Sequence, residues 1–245
     1  LHSLRRRQRQ MCIRDRTPDA HFMTEARYHG AKIVAVSPDY AENVKFADNW
    51  LAPHPGSDAA LAQGMTHVIL QEFYQNKQTP EFLNYAKQYT DLPFMVILKP
   101  SVANSNDYTS GRFVRISDLQ GTDTVANAEW KPVVYDRNQA KVVVPNGTIG
   151  QRWEAGQQWN LTLKDADGQA IDPQLNITAE QQVTIDFPTF DADGNGVLKR
   201  HVPVQTVTFA DSSQQLVTTV YELMLDQYGI AVSYTHLRAH ETLRH

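Results

Sequence analysis

The chain has 245 residues, 41% of them apolar and 20% charged, with one cysteine and a formal net charge of −4. That apolar content excludes a disordered chain, and one cysteine excludes a disulfide framework or a cysteine-rich cluster. No run of about 18 apolar residues is present to span a membrane as a helix, which leaves a soluble, mildly acidic α/β protein with room for a sizeable core.

The charge is unevenly spread. Residues 1–16 carry six arginines against one acid and residues 233–245 two against one, leaving a net −10 between them. A basic arm on an acidic body suggests a nucleic-acid tail, but the genetic code offers another origin. Met11-Cys12-Ile13-Arg14-Asp15 can be encoded by codons whose reverse complement translates as Val-Ser-Tyr-Thr-His, the sequence of Val232 to His236. DNA so reconstructed resembles the transposase end sequence of sequencing libraries. Residues 1–16 and 231–245 therefore read as translated adapter, set aside from fold reasoning. No nucleic-acid partner is then implied, and Cys12 says nothing about redox state.

Residues 17–100 read as an α/β region. Thr17-Pro18-Asp19 opens a helix that runs to Tyr28 and stops at Gly30. Lys32 to Ser37 is a short β-branched run of the buried parallel-strand type. A short helix over Tyr40 to Ala47 and a second strand at Trp50 to Ala52 follow. Ser57 then caps a helix with Leu61, Met65, Val68, Ile69 and Phe73 on one apolar stripe. Thr79-Pro80 opens another through Tyr89, and Phe94 to Leu98 is strand-like. This order predicts a doubly wound, Rossmann-like layer.

Residues 101–211 change character and read as a β-rich insertion. Strands are expected at Val133 to Tyr135, Lys141 to Val144, Trp159 to Leu163, Val183 to Phe187 and Val202 to Phe209. Asn138-Gln139 and Asp165 to Gly168 supply turns. Residues 212–230 return as a helix, capped by Ser212 or Ser213, with Leu216, Val220, Leu223 and Met224 on one face and Gly229 as its stop.

Ligands of open α/β sheets bind beyond the carboxyl ends of the strands. Ser37-Pro38-Asp39-Tyr40 occupies one such end and Gly56-Ser57-Asp58 the next. Each offers a hydroxyl and a carboxylate, and the second adds the free N–H groups of a helix start. That suits a nucleotide: N–H groups for phosphate, a carboxylate for a ribose diol or for the N–H edge of guanine. The same Ser57-Asp58 pair also suits simple helix capping. Asp191 to Gly196 imitates the start of an EF-hand loop, but Val202 stands where the bidentate Glu is needed, so a polar turn is expected. His21, His29, His54, His67 and His201 show no ligand spacing, so no self-contained metal site is expected, and His67 is expected to pack.

The stretches TPDAHF (from Thr17), TEARYHGAKIVAVSPDYAENVKFADNWLAP, PGSDAALAQGMTHVILQEFY, AEWKPVVYD, VVPNGTIGQRWE and LVTTVYELMLDQYG resemble the alpha subunits of bacterial respiratory nitrate reductases. The resemblance runs in the family's order over nearly all of Thr17 to Ile230. It implies a fragment of a molybdenum enzyme carrying a bis(molybdopterin guanine dinucleotide) cofactor, which reduces nitrate to nitrite. It also implies a beta iron–sulfur subunit, a haem-containing membrane gamma subunit and a place on the cytoplasmic face of the cell membrane. The [4Fe-4S] ligands and the molybdenum-ligating Asp would lie upstream of Thr17, so the fragment alone is expected to be inactive, with no catalytic or metal-ligating residue of its own. For this chain the resemblance implies cofactor contacts at Thr17, His21, Ser37, Pro38, Asp39, Tyr40, Gly56, Ser57 and Asp58. His54-Pro55 stands where the family leads one to expect a more basic pair. A related molybdenum oxyanion reductase and a stand-alone nucleotide-binding module are the alternatives.

Overall fold

The computed structural model describes residues 17–40, 42–102, 106–120, 125–148, 161–178, 181–188 and 197–230. The two ends read as adapter and the EF-hand-like loop Asp191 to Gly196 lie outside the described residues. The chain divides into two compact units, Leu1–Met65 and Thr66–His245.

In the first unit, α1 (Thr17–Tyr28) leads into β1 (Val34–Val36), a 3-10 turn (Glu42–Phe46) and β2 (Asn49–Leu51). Gly30, at φ +87°, ends α1 as expected: an L side chain would be strained there. β1 and β2 pair in parallel, Val34 with Asn49, Ala35 with Trp50 and Val36 with Leu51. The expected burial is not observed: Val34 is 53% and Val36 51% exposed. Val44 is the one buried hydrophobic residue among the described residues of this unit. A two-stranded pair has nothing of its own to bury its faces against.

α2 (Asp58–Ile69) starts in the first unit and ends in the second, continuing as a π-helix (Leu70–Asn76). Its stripe was expected to face a core, yet no residue of α2 is buried, and Met65 (51%) and Val68 (56%) are open. The helical period is real, but among the described residues the stripe is covered only in part: Leu61 is half-buried and Phe73, in the π-helix, packs on Phe82 with ring centroids 5.3 Å apart. α3 (Pro80–Tyr89) begins with proline in its first turn, as predicted.

The second unit is built on a six-stranded mixed sheet. Its strands are β3 (Met95–Pro100), β4 (Tyr108–Phe113), β7 (Gln182–Pro188), β8 (Val197–Pro203), β9 (Gln205–Thr208) and β10 (Gln214–Thr219), in the order β8-β7-β4-β3-β10-β9. A hairpin of β5 (Val134–Asp136) and β6 (Lys141–Val143) stands apart, with a short helix, α4 (Ile116–Gln120), before it. β3 is central, and its apolar run serves both faces. Met95 and Ile97 pack with Val114, Val133 and Val217, while Leu98 packs with Ile185 and Val202. The strand read from Phe94 to Leu98 thus exists, but it pairs antiparallel with β4 and β10 and not with β1 or β2. The α/β character holds, but among the described residues the strands form a two-stranded parallel pair and a separate mixed sheet, and not the doubly wound layer expected.

Three local expectations are corrected. Residues 214–219 form β10, not the start of the last helix. The β-branched run Val217-Thr218-Thr219 fills a place between β3 and β9, and α5 (Val220–Gln227) is capped by Thr219, whose hydroxyl accepts the Glu222 N–H at 3.2 Å. Ser212 and Ser213 instead shape the β9–β10 turn, where Ser212 has φ +66°. Of the strand expected over Trp159 to Leu163, residues 159 and 160 lie outside the described residues. The rest is irregular, with Leu163 at φ +53° breaking extension. The expected strand over Val202 to Phe209 breaks at Val204 into the end of β8 and the whole of β9. The β5–β6 turn at Asn138-Gln139, the Asp165 to Gly168 turn and the stop at Gly229 (φ +72°) form as predicted.

Candidate nucleotide-cofactor site

β1 and β2 end level with one another, because they are parallel and in register through Val36 and Leu51. The Ser37 N–H continues the ladder by donating to the Leu51 carbonyl oxygen at 3.1 Å. The chain then turns through Pro38 and Asp39. The Ser37 hydroxyl donates to Asp39 Oδ1 at 3.1 Å, which orients an exposed carboxylate at the strand end. Trp50 Nε1 donates to the Ser37 carbonyl oxygen at 2.9 Å, and its ring meets Tyr40 edge to face with centroids 5.4 Å apart. Three of the four residues of the first predicted turn, Ser37, Asp39 and Tyr40, are thus tied to one another or to β2.

The second turn leaves β2 from the same end. Gly56 has φ +88°, and a Cβ placed there would meet nothing within 4 Å. The loop therefore presents open backbone that a ligand can approach. Ser57 donates its hydroxyl hydrogen to the His54 carbonyl oxygen at 2.7 Å, while its own carbonyl accepts the Leu61 N–H at 3.1 Å. Asp58, exposed, is the first residue of α2, where helix N–H groups and the dipole favour an anion or a capping acid.

Thr17 and His21 stand on α1, one helical turn apart. His21 Nε2 lies 2.8 Å from Glu25 Oε1, so its polar contact is along its own helix and not with either turn. Two supporting residues carry no local sequence signal. One is Trp50. The other is Asp48, whose Oδ2 accepts the Ile33 N–H at 2.8 Å and whose Oδ1 accepts from Arg27 at 3.0 Å, joining α1, β1 and β2. The Ile33 hydrogen bond, with Arg27 and Lys32 nearby, outweighs desolvation and holds this carboxyl below the ordinary range. An Arg–Asp pair 21 residues apart leaves no periodic trace to read.

His67 packs as expected, its Nδ1 2.7 Å from the Tyr228 carbonyl oxygen. Among the described residues no cluster of three or more His, Cys, Asp or Glu side chains could hold a metal ion. No helix there is long and apolar enough to cross a membrane. A cleft of about 460 Å³ in the second unit, lined by Phe94, Phe113, Arg115, Trp130 and others, includes none of the predicted site residues.

Residues 6–218 match the molybdopterin oxidoreductase family. The chain belongs to that family. It is 45% identical over 218 residues to a nitrate reductase alpha chain of Bacillus subtilis (strain 168), covering 88% of this chain and 17% of that one. It is 42% identical over 228 residues to respiratory nitrate reductase 1 alpha chain of Escherichia coli (strain K12), covering 88% and 18%. With a perchlorate reductase alpha subunit of Dechloromonas aromatica it shares 33% identity over 57% of this chain. The chain thus spans less than a fifth of the length of these relatives.

A carboxylate steadied by a neighbouring hydroxyl, a glycine turn with open space beside it, and a helix start just beyond form a donor and acceptor set suited to phosphate, hydroxyl and N–H groups.

Proposed function

We propose that this chain is a piece of the catalytic subunit of a molybdenum nitrate reductase and that its two strand-end turns hold the guanine-dinucleotide arm of the cofactor. The observation that supports this most is the level ending of β1 and β2 in a chain of this family: both turns carry a hydroxyl and a carboxylate at the same sheet end.

In this reading Asp39 accepts from guanine N–H groups or from ribose hydroxyls, with Ser37 orienting its carboxylate. The first N–H groups of α2 and the open Gly56 turn receive phosphate, with Ser57 beside them and Asp58 helping to order the helix start. Pro38 and Tyr40 shape the first turn, and Thr17 and His21 belong to the same cofactor-facing side. Oxygen-atom transfer from nitrate, leaving nitrite, is the chemistry that such a molybdenum group supplies when bound.

The bis(guanine dinucleotide) form of the cofactor and a [4Fe-4S] cluster ligated elsewhere in the subunit belong to the same proposal. So do a beta iron–sulfur partner, a haem-containing gamma partner in the membrane, and a cytoplasmic-face location. The bare faces of β1, β2 and α2 favour burial against more polypeptide over life as a free module. In domain terms, 17–100 is the cofactor-binding region, 101–211 an insertion and 212–230 a returning segment, with 1–16 and 231–245 foreign to the subunit.

The test is nitrate reduction by a full subunit carrying this segment, with reduced viologen as donor. Nitrite formation is expected. Turnover of perchlorate or another oxyanion without nitrate would favour the related-reductase reading, for which the perchlorate reductase similarity is the supporting observation. A cofactor-loaded subunit with no oxyanion turnover contradicts both.

A further inference from the structure

The second unit buries an acidic residue that the cofactor reading does not use. Glu222, in the first turn of α5, is 0% exposed. Its Oε1 accepts the Ile177 N–H at 2.8 Å and an Asn176 side-chain N–H at 3.2 Å, two donors 45 and 46 residues away in sequence. Its Oε2 is buried with no hydrogen-bond partner among the described residues. The same segment is held a second time by Thr219, whose hydroxyl donates to the Leu175 carbonyl oxygen at 2.6 Å, and is stiffened internally by Gln174 Nε2 donating to the Asn176 carbonyl oxygen at 2.6 Å. Leu175 and Ile177 are buried there.

We propose that the Glu222 carboxyl is a pH-sensitive latch, holding the segment 174–178 on α5 in acidic solution and loosening its hold as the solution approaches neutrality.

A carboxylic acid tolerates such a site far better than a carboxylate does. Two donors on one oxygen and none on the other leave an ion incompletely solvated in an apolar surround. The charged groups around it do not repair this. On its own helix Asp226, four residues on and nearly buried, is a like charge, and the neighbouring Tyr221 phenol is buried. Tyr74 packs on Tyr221 at 6.3 Å. Of the facing elements, the segment 174–178 brings only Gln174, Asn176 and Thr178, and β10 brings Thr218 and Thr219. β8 brings Arg200, whose guanidinium lies beside Gly229 at the far end of α5. The Lys87–Asp172 ion pair just upstream, at 2.5 Å, neutralises itself.

Burial pushes the Glu222 carboxyl up from 4.5 to about 7, with Asp226 adding to the rise and the Ile177 and Asn176 donors opposing it. The sign follows directly. A group that holds its proton more tightly when closed gives its full hold below the open-state value, loses it between about 4.5 and 7, and levels off above that.

The test is amide hydrogen exchange of Ile177 in the full chain, corrected for the intrinsic pH dependence. The opening equilibrium should rise about 40-fold from pH 5 to pH 7 and flatten above that. Glu222→Gln, which keeps the accepting oxygen and removes the titration, should show no such rise. A wild-type change below about threefold, or an equal rise in Glu222→Gln, overturns the proposal. A carbon-13 titration of the Glu222 carboxyl in the unaltered chain needs no variant: a midpoint about 7 supports the latch, and one in the ordinary carboxylate range overturns it.

Discussion

Trp50 donates its indole N–H to the carbonyl oxygen of Ser37 at 2.9 Å, so the last residue pairs of a short parallel sheet brace the turn that carries Asp39. Trp50→Phe keeps the ring against Tyr40 and removes the donor. One exposed hydrogen bond is worth about 0.5–1.5 kcal/mol at most. The Ser37 amide, which bonds to the Leu51 carbonyl oxygen, should therefore exchange about two- to tenfold faster. Hydrogen exchange at that amide checks it, and unchanged exchange would show that Trp50 does not brace the turn.

Gly111 in β4 faces the β3 irregularity between Val96 and Leu98, and a Cβ added there would stand 2.7 Å from the Ile97 carbonyl oxygen. Backbone cannot step aside as a flexible side chain can. Gly111→Ala should destabilise the second unit by about 1–3 kcal/mol, visible as a lower denaturant midpoint. A variant as stable as the parent would mean the strands separate there without cost.

Arg112 grips Asp118 with both terminal nitrogens at 2.6 Å, and the Arg115 N–H donates to the same carboxylate at 2.9 Å. Burial opposes ionisation, but the Arg112 and Arg115 contacts outweigh it and hold the carboxyl below its ordinary range. A depressed acid gives its stability above the unfolded value and loses it as pH falls through the folded one. Asp118→Asn should cost about 1.5–3 kcal/mol near neutrality and show a shallower loss of stability below pH of about 4. Urea midpoints from pH 2 to 7 measure both, and parallel profiles for the two proteins would contradict the assignment.

Much of the local structure could be read from the residues, and the failures have identifiable causes. Pro80 at a helix start, Gly30 and Gly229 at helix ends and the β5–β6 turn act through their own backbone preferences, so sequence reveals them. The residues 214–219 do not decide between helix and strand alone; their place between β3 and β9 decides it. The strand type of β1 was legible, but its burial was not, because burial depends on what packs against a strand, and among the described residues Val34 and Val36 stay exposed. At the candidate site, hydroxyls and carboxylates at strand ends stood out by chemistry. Trp50 and Asp48 did not, because each acts through a contact between elements distant in sequence.

The bare β1–β2 pair, with Val44 the one buried residue among those described in 17–65, also sets an expectation for residues 17–65 in isolation. With so little apolar surface removed from water, the peptide should show no cooperative unfolding transition by circular dichroism. A sharp transition would mean that these elements bury one another more completely than the structure shows.

The most direct test of the account is the guanine nucleotide released on acid hydrolysis from a purified full subunit carrying this segment, compared between the parent and an Asp39→Ala, Ser57→Ala double variant. Loss of a charge-assisted contact of about 1.5–3 kcal/mol predicts that retained nucleotide falls by about tenfold or more. A double variant that retains the nucleotide at the parent level would contradict the assignment of these two turns to the cofactor.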